Sequence, residues 1–468
     1  MWRAASKTLY HSRTSRFTRS PAFSGCSSVS SSAKTASQSA QTRRNKPRTI
    51  AVAGGGTAGH VTTGLAVLDE YRALEPETEL LFIGSSFGFE SRLAPAHGIR
   101  LVTLPSSPFM RQGLAGRVRA GFNFLRSAWA ARQVLRREKP DLVLGLGGYA
   151  SAGGVLAART MGIPVVVHEA NVRPGLANKL LGPFVDRVFI AWPQTAEDFP
   201  KARTLLTGNP LAREIVAGKP RRPPEPGVRR LLVAGGSEGS PFLNEHAPEL
   251  AAAIRQRGVD LHVLHQCGWG DVEKIKGEYA RLGVEARVES FLEEMAEAYA
   301  WADFVLCCAG AITLSELAVS GLPAAIVPLG GAAVDHQTPN AVAYAKLTGA
   351  LHCGQDEWAG RDLAGEIAAL LRDSRGVLSR RFQDAPRRLL KRTLPERFWT
   401  PAKSCCRAGA DDGAFGRDHS RPGKPAGLRH DSCGTLPEMR LTARPAPRSR
   451  SWRDSPSGRS AAPPSSPS

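Results

Sequence analysis

The sequence contains one pattern twice: a short apolar segment, a glycine-rich turn directly after it, and then a segment with helical periodicity. The first copy runs from residues 49–53 into the turn 54–56, and the second runs from residues 229–234 into 235–237. Apolar strands that alternate with helices are buried on both faces and pair in parallel. The repetition therefore predicts an α/β protein with two Rossmann-like, doubly wound parallel-sheet domains that face each other across a ligand crevice.

Composition divides the chain into four parts. We expect a leader at 1–48, an N-terminal domain at 49–210, a C-terminal domain at 211–380 and an atypical, largely disordered tail at 381–468. A polar stretch rich in Pro and Arg separates the two strand patterns. Further strands are predicted at 79–83, 142–145, 164–167, 260–264, 304–307 and 324–328.

The two ends of the chain are basic, whereas its body is nearly neutral. Of the net charge of +20, residues 1–48 contribute +10 and residues 401–468 contribute +6, which leaves +4 for residues 49–400. This distribution argues against a nucleic-acid partner. The leader has the Ser- and Arg-rich, acid-free composition of an organellar transit peptide. An over-extended start site or a disordered tail explains the same composition equally well.

The eight cysteines form no CxxC pair and are accompanied by no histidine cluster. A zinc site or a secreted disulfide framework is therefore not expected, and reduced thiols in a cytosolic compartment fit better. Cys307 and Cys308 end an apolar run and are expected to be buried. No apolar run reaches the length that spans a bilayer.

The first glycine-rich turn leads directly to a histidine. Residues 54–60 have the sequence GGGTAGH. Glycines let the backbone approach an anion closely, and a following helix adds free N–H groups. The turn lacks the Walker lysine and departs from the GxGxxG spacing. His60 is a candidate general base or diphosphate donor, and the alternative is a capping or core histidine.

Two further glycine-rich turns follow strands, GLGGYAS at 145–151 and GGSEGS at 235–240. Each alone is compatible with a tight turn that binds nothing. Three such turns in two domains favour a pair of phosphate-containing substrates over a single dinucleotide.

These turns belong to an ordered series of motifs: GGGTAGHV, GLGGYAS, HEANVRPGLANK, GNP, GGSEGS, AGAITLSE and DHQTPNA. The series resembles the MurG-type peptidoglycan glycosyltransferases of glycosyltransferase family 28. The residues of its motifs are most similar to those of the actinobacterial branch. The resemblance extends from about residue 48 to about residue 380. It implies a GT-B fold and an inverting, metal-independent enzyme without a cofactor. Such an enzyme transfers N-acetylglucosamine from UDP-N-acetylglucosamine to a polyprenyl-diphosphate-linked muramyl peptide, lipid I, and so forms lipid II.

The resemblance also assigns residues, motif by motif. It implies that the N-terminal domain holds the acceptor and the C-terminal domain the UDP-sugar, and we take His60 as the candidate catalytic base. The acceptor-diphosphate residues are Gly55, Thr57, Gly59, Gly147, Gly148 and Tyr149. The UDP-N-acetylglucosamine residues are Asn171, Arg213, Ser237, Leu292, Ile312, Thr313, Glu316 and Gln337. Leu292 is expected to contact uracil through its backbone, and Glu316 to accept from both ribose hydroxyls.

A basic amphipathic segment lies in the first domain. Residues 108–111 and 114–129 mix apolar residues with arginines, and Leu114, Val118, Phe122, Leu125 and Trp129 recur at helical spacing. Such a helix can lie on an anionic membrane. An ordinary helix that packs its apolar stripe on the sheet is an equally good interpretation. With the resemblance, we expect a peripheral protein on the cytoplasmic side of the cell membrane, or an imported protein if the leader is a transit peptide.

Two other functions are left open. One is a different GT-B enzyme with a lipid acceptor, such as a diacylglycerol galactosyltransferase, although the acceptor loops favour a lipid diphosphate. The other is an inactive product of a truncated or frameshifted gene, which the atypical tail suggests. A nucleotide-dependent oxidoreductase is disfavoured by the loop spacing and by the lack of an acidic residue at the ribose position after the first loop.

Overall fold

The computed structural model describes residues 48–86, 88–104, 114–221, 227–330 and 335–372, with the backbone alone for 114–122 and 149–150. The strands in these ranges are β1 (Thr49–Ala53), β2 (Glu79–Gly84), β3 (Arg100–Thr103), β4 (Leu142–Gly145), β5 (Val165–Glu169), β6 (Arg187–Ile190), β7 (Thr204–Leu206), β8 (Val228–Ala234), β9 (Asp260–Gln266), β10 (Glu285–Glu289), β11 (Phe304–Cys307), β12 (Ala324–Ile326) and β13 (Leu351–His352). The α-helices are α1 (Ala58–Leu74), α2 (Glu90–Ala96), α3 (Leu114–Glu138), α4 (Gly148–Thr160), α5 (Leu176–Leu181), α6 (Arg213–Ala217), α7 (Pro241–Gln256), α8 (Val272–Arg281), α9 (Met295–Trp301), α10 (Ala311–Ser320), α11 (Gln337–Thr348) and α12 (Leu363–Arg372).

The strands form two parallel sheets. The first has seven strands in the order β3-β2-β1-β4-β5-β6-β7, and the second has six in the order β10-β9-β8-β11-β12-β13. Each sheet opens with a strand that becomes central: β1 pairs with β2 and β4, and β8 pairs with β9 and β11. The predicted pair of Rossmann-like, doubly wound domains is confirmed.

The central strands also mark the places where ligands bind in such sheets. The strand order reverses beside β1 and beside β8, and ligands occupy the crevice beyond the carboxyl ends of the strands at this switch point. The turns after β1 and β4 flank the switch point of the first sheet. The turns after β8 and β11 flank that of the second. The topology thus brings all the glycine-rich turns to the carboxyl ends of the sheets.

The cores follow from the strand sequences. All five residues of β1 are buried, as expected for a strand that is covered on both faces. Helix α1 contributes Leu65 and Leu68 to the core on one face of the first sheet. Helices α3 and α4 contribute Leu135 and Val155 to the core on the opposite face.

One core contains residues from both halves of the chain. Trp192, Leu211 and Ile215, which precede the second sheet in sequence, pack in the same cluster as Leu232 and Leu317 of that sheet and its helices. The connection between the sheets is therefore part of a packed core.

The structure corrects some details of the sequence-based prediction. Helix α1 begins at Ala58, so His60 lies in its first turn. Strands β3, β6, β7, β10 and β13 were not predicted, because they are short and several are only partly buried. Cys307 and Cys308 are buried, as expected. The predicted disorder of the two tails lies outside the described residues.

Candidate active site

The two glycine-rich turns of the first domain touch each other. Gly148 begins α4 with a positive φ of 75°, and a Cβ atom there would lie 3.4 Å from the carbonyl oxygen of Gly55. A Cβ atom on Gly147 would lie 3.4 Å from Nε2 of His60. Two turns that are far apart in sequence thus form one continuous surface, and the imidazole ring of His60 lies at their junction.

The imidazole of His60 is oriented by a hydrogen bond, and burial lowers its pKa. Its Nδ1 is 2.9 Å from Oγ1 of Thr57, the residue that caps α1. If Nδ1 donates to this hydroxyl oxygen, Nε2 is left as a proton acceptor that faces the second turn. Burial lowers the pKa of His60; the carboxylates of Glu169 and Glu90 oppose this shift, and His336 adds to it. A neutral imidazole is the form that a general base requires.

A buried carboxylate fixes the loop that carries Asn171. Glu169 ends β5, and its Oε1 accepts from the backbone N–H and the side-chain amide of Asn171. Its Oε2 accepts from the N–H of Gly175 and from the amide of Asn178. A carboxylate with this many donors imposes one loop conformation, because breaking any of the bonds leaves a buried polar group unsatisfied.

Asparagine side chains join this loop to the second domain. Asn340 of α11 is completely buried; its Oδ1 accepts from the N–H of Val172 at 2.9 Å, and its amide donates to Asn171 Oδ1 at 3.0 Å and to the carbonyl oxygen of Ala309. Asn209, in the GNP motif, donates to Ser315 Oγ of α10 at 2.9 Å. The predicted sugar residue Asn171 is therefore held from both domains.

The start of α10 faces the start of α1 across the crevice. A Cβ atom on Gly59 would lie 3.7 Å from Cγ1 of Ile312. The first backbone N–H of α10 that bonds within the helix belongs to Leu314, which donates to Gly310. The N–H groups of Ile312 and Thr313 thus lie in the unpaired first turn, where a diphosphate is favoured by the donors and by the helix dipole.

One turn further along α10, Glu316 is held by a tyrosine. The hydroxyl group of Tyr299 in α9 donates to Oε2 of Glu316 at 2.8 Å. Burial raises the pKa of Glu316 to about 7, and the hydrogen bond from Tyr299 opposes the shift. The carboxyl group is thereby fixed in position, with Oε1 remaining for a ligand.

The other predicted donor residues are spread around the same crevice. Gln337 begins α11, and its Oε1 accepts from the N–H groups of Ala309 and Leu329, so only its amide nitrogen can donate to a ligand. Ser237 lies in the turn between β8 and α7. The side chain of Leu292 packs in the core of the second domain, which leaves its backbone for a contact. The preceding ring of Phe291 lies 5.2 Å from the guanidinium carbon of Arg92 in α2.

Arg213 forms an ion pair with the first domain. Its Nε donates to Oε2 of Glu70 at 2.8 Å, which joins α6 to α1 of the first domain. Its predicted contact with the donor stays a prediction. Tyr149 lies in the first turn of α4, and its side chain is outside the described residues.

Several residues of this arrangement were not predicted from the sequence: Glu90, Glu169, Tyr299, His336 and Asn340. Glu169 and Asn340 are polar residues inside recognised motifs, so their side-chain chemistry could have marked them as candidate site residues. Glu90 and Tyr299 lie outside those motifs. Only the fold brings them to the site.

Comparison with known proteins identifies both halves of the chain. Residues 50–190 match the glycosyltransferase family 28 N-terminal domain, and residues 230–385 match the glycosyltransferase family 28 C-terminal domain. A protein of Nitratidesulfovibrio vulgaris named UDP-N-acetylglucosamine--N-acetylmuramyl-(pentapeptide) pyrophosphoryl-undecaprenol N-acetylglucosamine transferase is 42% identical over 346 residues, which cover 72% of this chain and 94% of the relative. A protein of the same name from Geobacter metallireducens is 39% identical over 69% of this chain and 90% of its own length.

Solved structures show the same architecture. The crystal structure of Acinetobacter baumannii MurG aligns with a TM-score of 0.60 and 29% identity, over 77% of this chain and all of that one. A UDP-N-acetylglucosamine 2-epimerase aligns with a TM-score of 0.51 at 18% identity, which indicates a shared fold only. The two facing domains are those of a GT-B glycosyltransferase, as the sequence predicted. The chain belongs to glycosyltransferase family 28.

Proposed function

We propose that this protein transfers N-acetylglucosamine from UDP-N-acetylglucosamine to lipid I, with inversion at the anomeric carbon, and so produces lipid II. The acceptor diphosphate lies on the joined turns of the first domain, and the UDP-sugar lies against α10 and α11 of the second. The names of the relatives support both substrates.

One observation carries the proposal: the imidazole of His60, whose pKa is lowered by burial, lies between a surface suited to one diphosphate and a helix start suited to another. On one side are the turns of Gly55 and Gly147, and on the other the first turn of α10 with Ile312. A base placed between two anion sites suits a reaction in which a hydroxyl group of a lipid-diphosphate-linked sugar attacks C1 of a nucleotide diphosphate sugar.

The reaction then proceeds as a single displacement. Nε2 of His60 takes the proton of an acceptor-sugar hydroxyl group while a lone pair of that oxygen attacks C1 of N-acetylglucosamine. The bond between C1 and the diphosphate oxygen breaks on the opposite face, and its electron pair leaves with UDP. The imidazolium that forms is stabilised by the charges of Glu169 and Glu90.

The departing UDP is stabilised by fixed dipoles. The N–H groups of Ile312 and Thr313 and the dipole of α10 face the charge that develops on the leaving oxygen. Glu316 accepts from the ribose hydroxyl groups. Asn171 and the amide of Gln337 bind the sugar hydroxyl groups, which orients C1 toward the acceptor.

The acceptor is a lipid, and the first domain has a surface that suits a membrane. Leu125 and Trp129 of α3 are about two-thirds exposed, and Leu176, Leu180 and Phe184, in and after α5, are exposed to a similar degree. Helices α3, α4 and α5 cover one face of the sheet, with the exposed Arg126 and Arg159 nearby. No helix among the described residues is long and apolar enough to span a bilayer. We place the protein peripherally on the cytoplasmic side of an anionic membrane.

A transfer assay tests the proposal. Purified protein is mixed with radiolabelled UDP-N-acetylglucosamine and a short-chain lipid I analogue, and a diacylglycerol acceptor serves as the comparison. Label should move to the lipid I analogue alone, and it should not move in the His60→Ala or Glu316→Ala variants. Donor binding should persist in the first variant and be lost in the second. Transfer to diacylglycerol instead would replace the proposed acceptor, and binding of the donor without any transfer would contradict the proposal.

A further inference from the structure

Glu90, the first residue of α2, is a carboxylate with no solvent exposure. Its Oε1 accepts from the N–H of Ser85 at 2.7 Å and from the hydroxyl group of Ser85, and its Oε2 accepts from the N–H of Gly56 at 3.2 Å. No ion pair joins it to a Lys or Arg side chain within the part of the chain that the structure describes. Burying an ionised group with neutral donors alone is costly, which makes a functional reason for its presence worth seeking.

The surrounding chain is shaped to hold this carboxylate. A Cβ atom on Gly55, Gly84 or Gly88 would overlap the side chain of Glu90. Gly55 also has φ of +150°, which disfavours other residues. Three glycines, two in loops and one at the end of β2, thus enclose one carboxyl group, and any side chain at these positions would displace it.

The carboxylate fixes the peptide between Gly55 and Gly56. Its hydrogen bond to the N–H of Gly56 sets the orientation of that peptide. The carbonyl oxygen of Gly55 then faces Gly148 in the second turn. Because His60 follows on the same loop and helix start, the position of this peptide also sets where the imidazole lies.

We propose that Glu90 is a positioning residue of the transfer reaction, whose buried carboxylate holds the acceptor turn and His60 in their working arrangement. This inference rests on the proposed function of that turn. Among the described residues, four ionisable groups interact with His60: His168 and Glu169 at the end of β5, His336 just before α11 and Glu90 in α2. The charge of Glu90 raises the pKa of His60, so the carboxylate also favours the imidazolium that forms during transfer.

The Glu90→Gln variant keeps the shape of the side chain but places an NH₂ group where only donors point. We expect kcat/KM for the lipid I analogue to fall on the order of tenfold to a hundredfold, since small misplacements of reacting groups have effects of this size. The KM for UDP-N-acetylglucosamine should stay within about twofold. The acid limb of the pH profile should move to lower pH, because a neutral amide no longer raises the pKa of His60.

Two variants provide controls. Glu79→Gln makes the same chemical change at an exposed position on β2 and should alter none of these quantities. Ser85→Ala removes one donor to the carboxylate without adding a misplaced hydrogen, and it should give a weaker effect in the same direction. Ser85→Ala also tests the inference if Glu90→Gln does not fold.

Amide hydrogen exchange separates this inference from the proposed function. In the free protein, exchange across residues 54–60 should be about tenfold faster in Glu90→Gln than in the unmodified chain. Unchanged exchange, or equal losses for donor and acceptor, would overturn the positioning role even if lipid I transfer is observed. If exchange is faster in Glu90→Gln but the unmodified chain shows no lipid I transfer, Glu90 still positions the loop, and only the assigned reaction is contradicted.

Discussion

The hydroxyl group of Tyr299 donates a 2.8 Å hydrogen bond to the carboxyl group of Glu316, and both lie in the second domain beside the start of α10. The bond opposes the effect of burial, which raises the pKa of Glu316 to about 7. The ionised carboxylate is the form that can accept from two ribose hydroxyl groups. Donor affinity should therefore depend on pH within the physiological range.

We predict that the KM for UDP-N-acetylglucosamine rises as pH falls through about 7, since Glu316 then becomes protonated. In Tyr299→Phe the pKa should be higher still, so that the rise in KM begins at higher pH. KM measured from pH 6 to pH 9 checks this. Tyr279→Phe removes another buried tyrosine hydroxyl group, one that bonds His265, and should leave the profile unchanged. A profile that is the same in both variants would contradict the role of Tyr299.

His60→Gln should lower kcat by about 10²–10⁴-fold, the range for loss of a general base. Because burial lowers the pKa of His60, the active neutral form should persist below pH 6.5 and be lost only at lower pH. At saturating UDP-N-acetylglucosamine, kcat of the unmodified chain should therefore fall on the acid side, and this limb of the kcat profile should vanish in the variant. His97→Gln changes a surface histidine that bonds Asp69 and should have no effect. An acid limb that persists in His60→Gln would assign the base elsewhere.

Arg213 and Glu70 form an exposed ion pair between the domains, so the pair itself should contribute at most about 1 kcal/mol to stability. If Arg213 also contacts the donor, Arg213→Ala should raise the KM for UDP-N-acetylglucosamine severalfold. Glu70→Gln, which frees the guanidinium, should not raise it. Steady-state kinetics on the two variants measure this KM. Equal increases in KM in both variants would mean that Arg213 only joins the domains.

Asn340→Ala should lower the free energy of unfolding by about 1–3 kcal/mol, because it leaves the buried N–H of Val172 without an acceptor. Asn171 also loses its partner in the second domain, so the KM for the donor should increase. Urea unfolding measures the first effect. Val342→Ala, a change on the exposed side of the same helix, should stay within about 0.5 kcal/mol.

Replacing Leu125 and Trp129 together by serine should weaken binding to vesicles that contain anionic lipid by about tenfold or more, since each side chain loses apolar burial in the lipid. Flotation of protein with vesicles measures this, and transfer to a water-soluble acceptor should be retained. Leu74→Ser alters an exposed leucine on α1, which covers the opposite face of the sheet, and should bind as the unmodified chain does. Equal binding by all variants would exclude this surface.

The sequence predicted the parts of the fold that depend on local pattern. Central strands such as β1 and β8 end in apolar runs that lead directly into glycine, so their positions could be inferred. Short strands such as β13 carry too little periodicity to be recognised.

The site residues also divide into those that lie in recognisable motifs and those whose partners are distant in sequence. His60 and Glu316 lie in motifs whose chemistry can be read locally. Glu90 and Tyr299 act through partners that are 34 and 17 residues away in sequence, and such pairings exist only once the chain is folded. The contact of Arg213 with Glu70 spans 143 residues and could not be inferred from the GNP motif beside it.

The mixed core around Trp192, Leu211 and Ile215 limits how this protein can be recombined. Although each sheet resembles a separable module, these three side chains precede the second sheet in sequence and yet pack in its core. A chimaera joined just before β8 would pair them with a foreign core and leave unfilled volume or overlap. An exchange of donor halves between relatives should therefore take Trp192, Leu211 and Ile215 from the same relative as the second sheet, whereas β7, which pairs with β6, should stay with the first sheet.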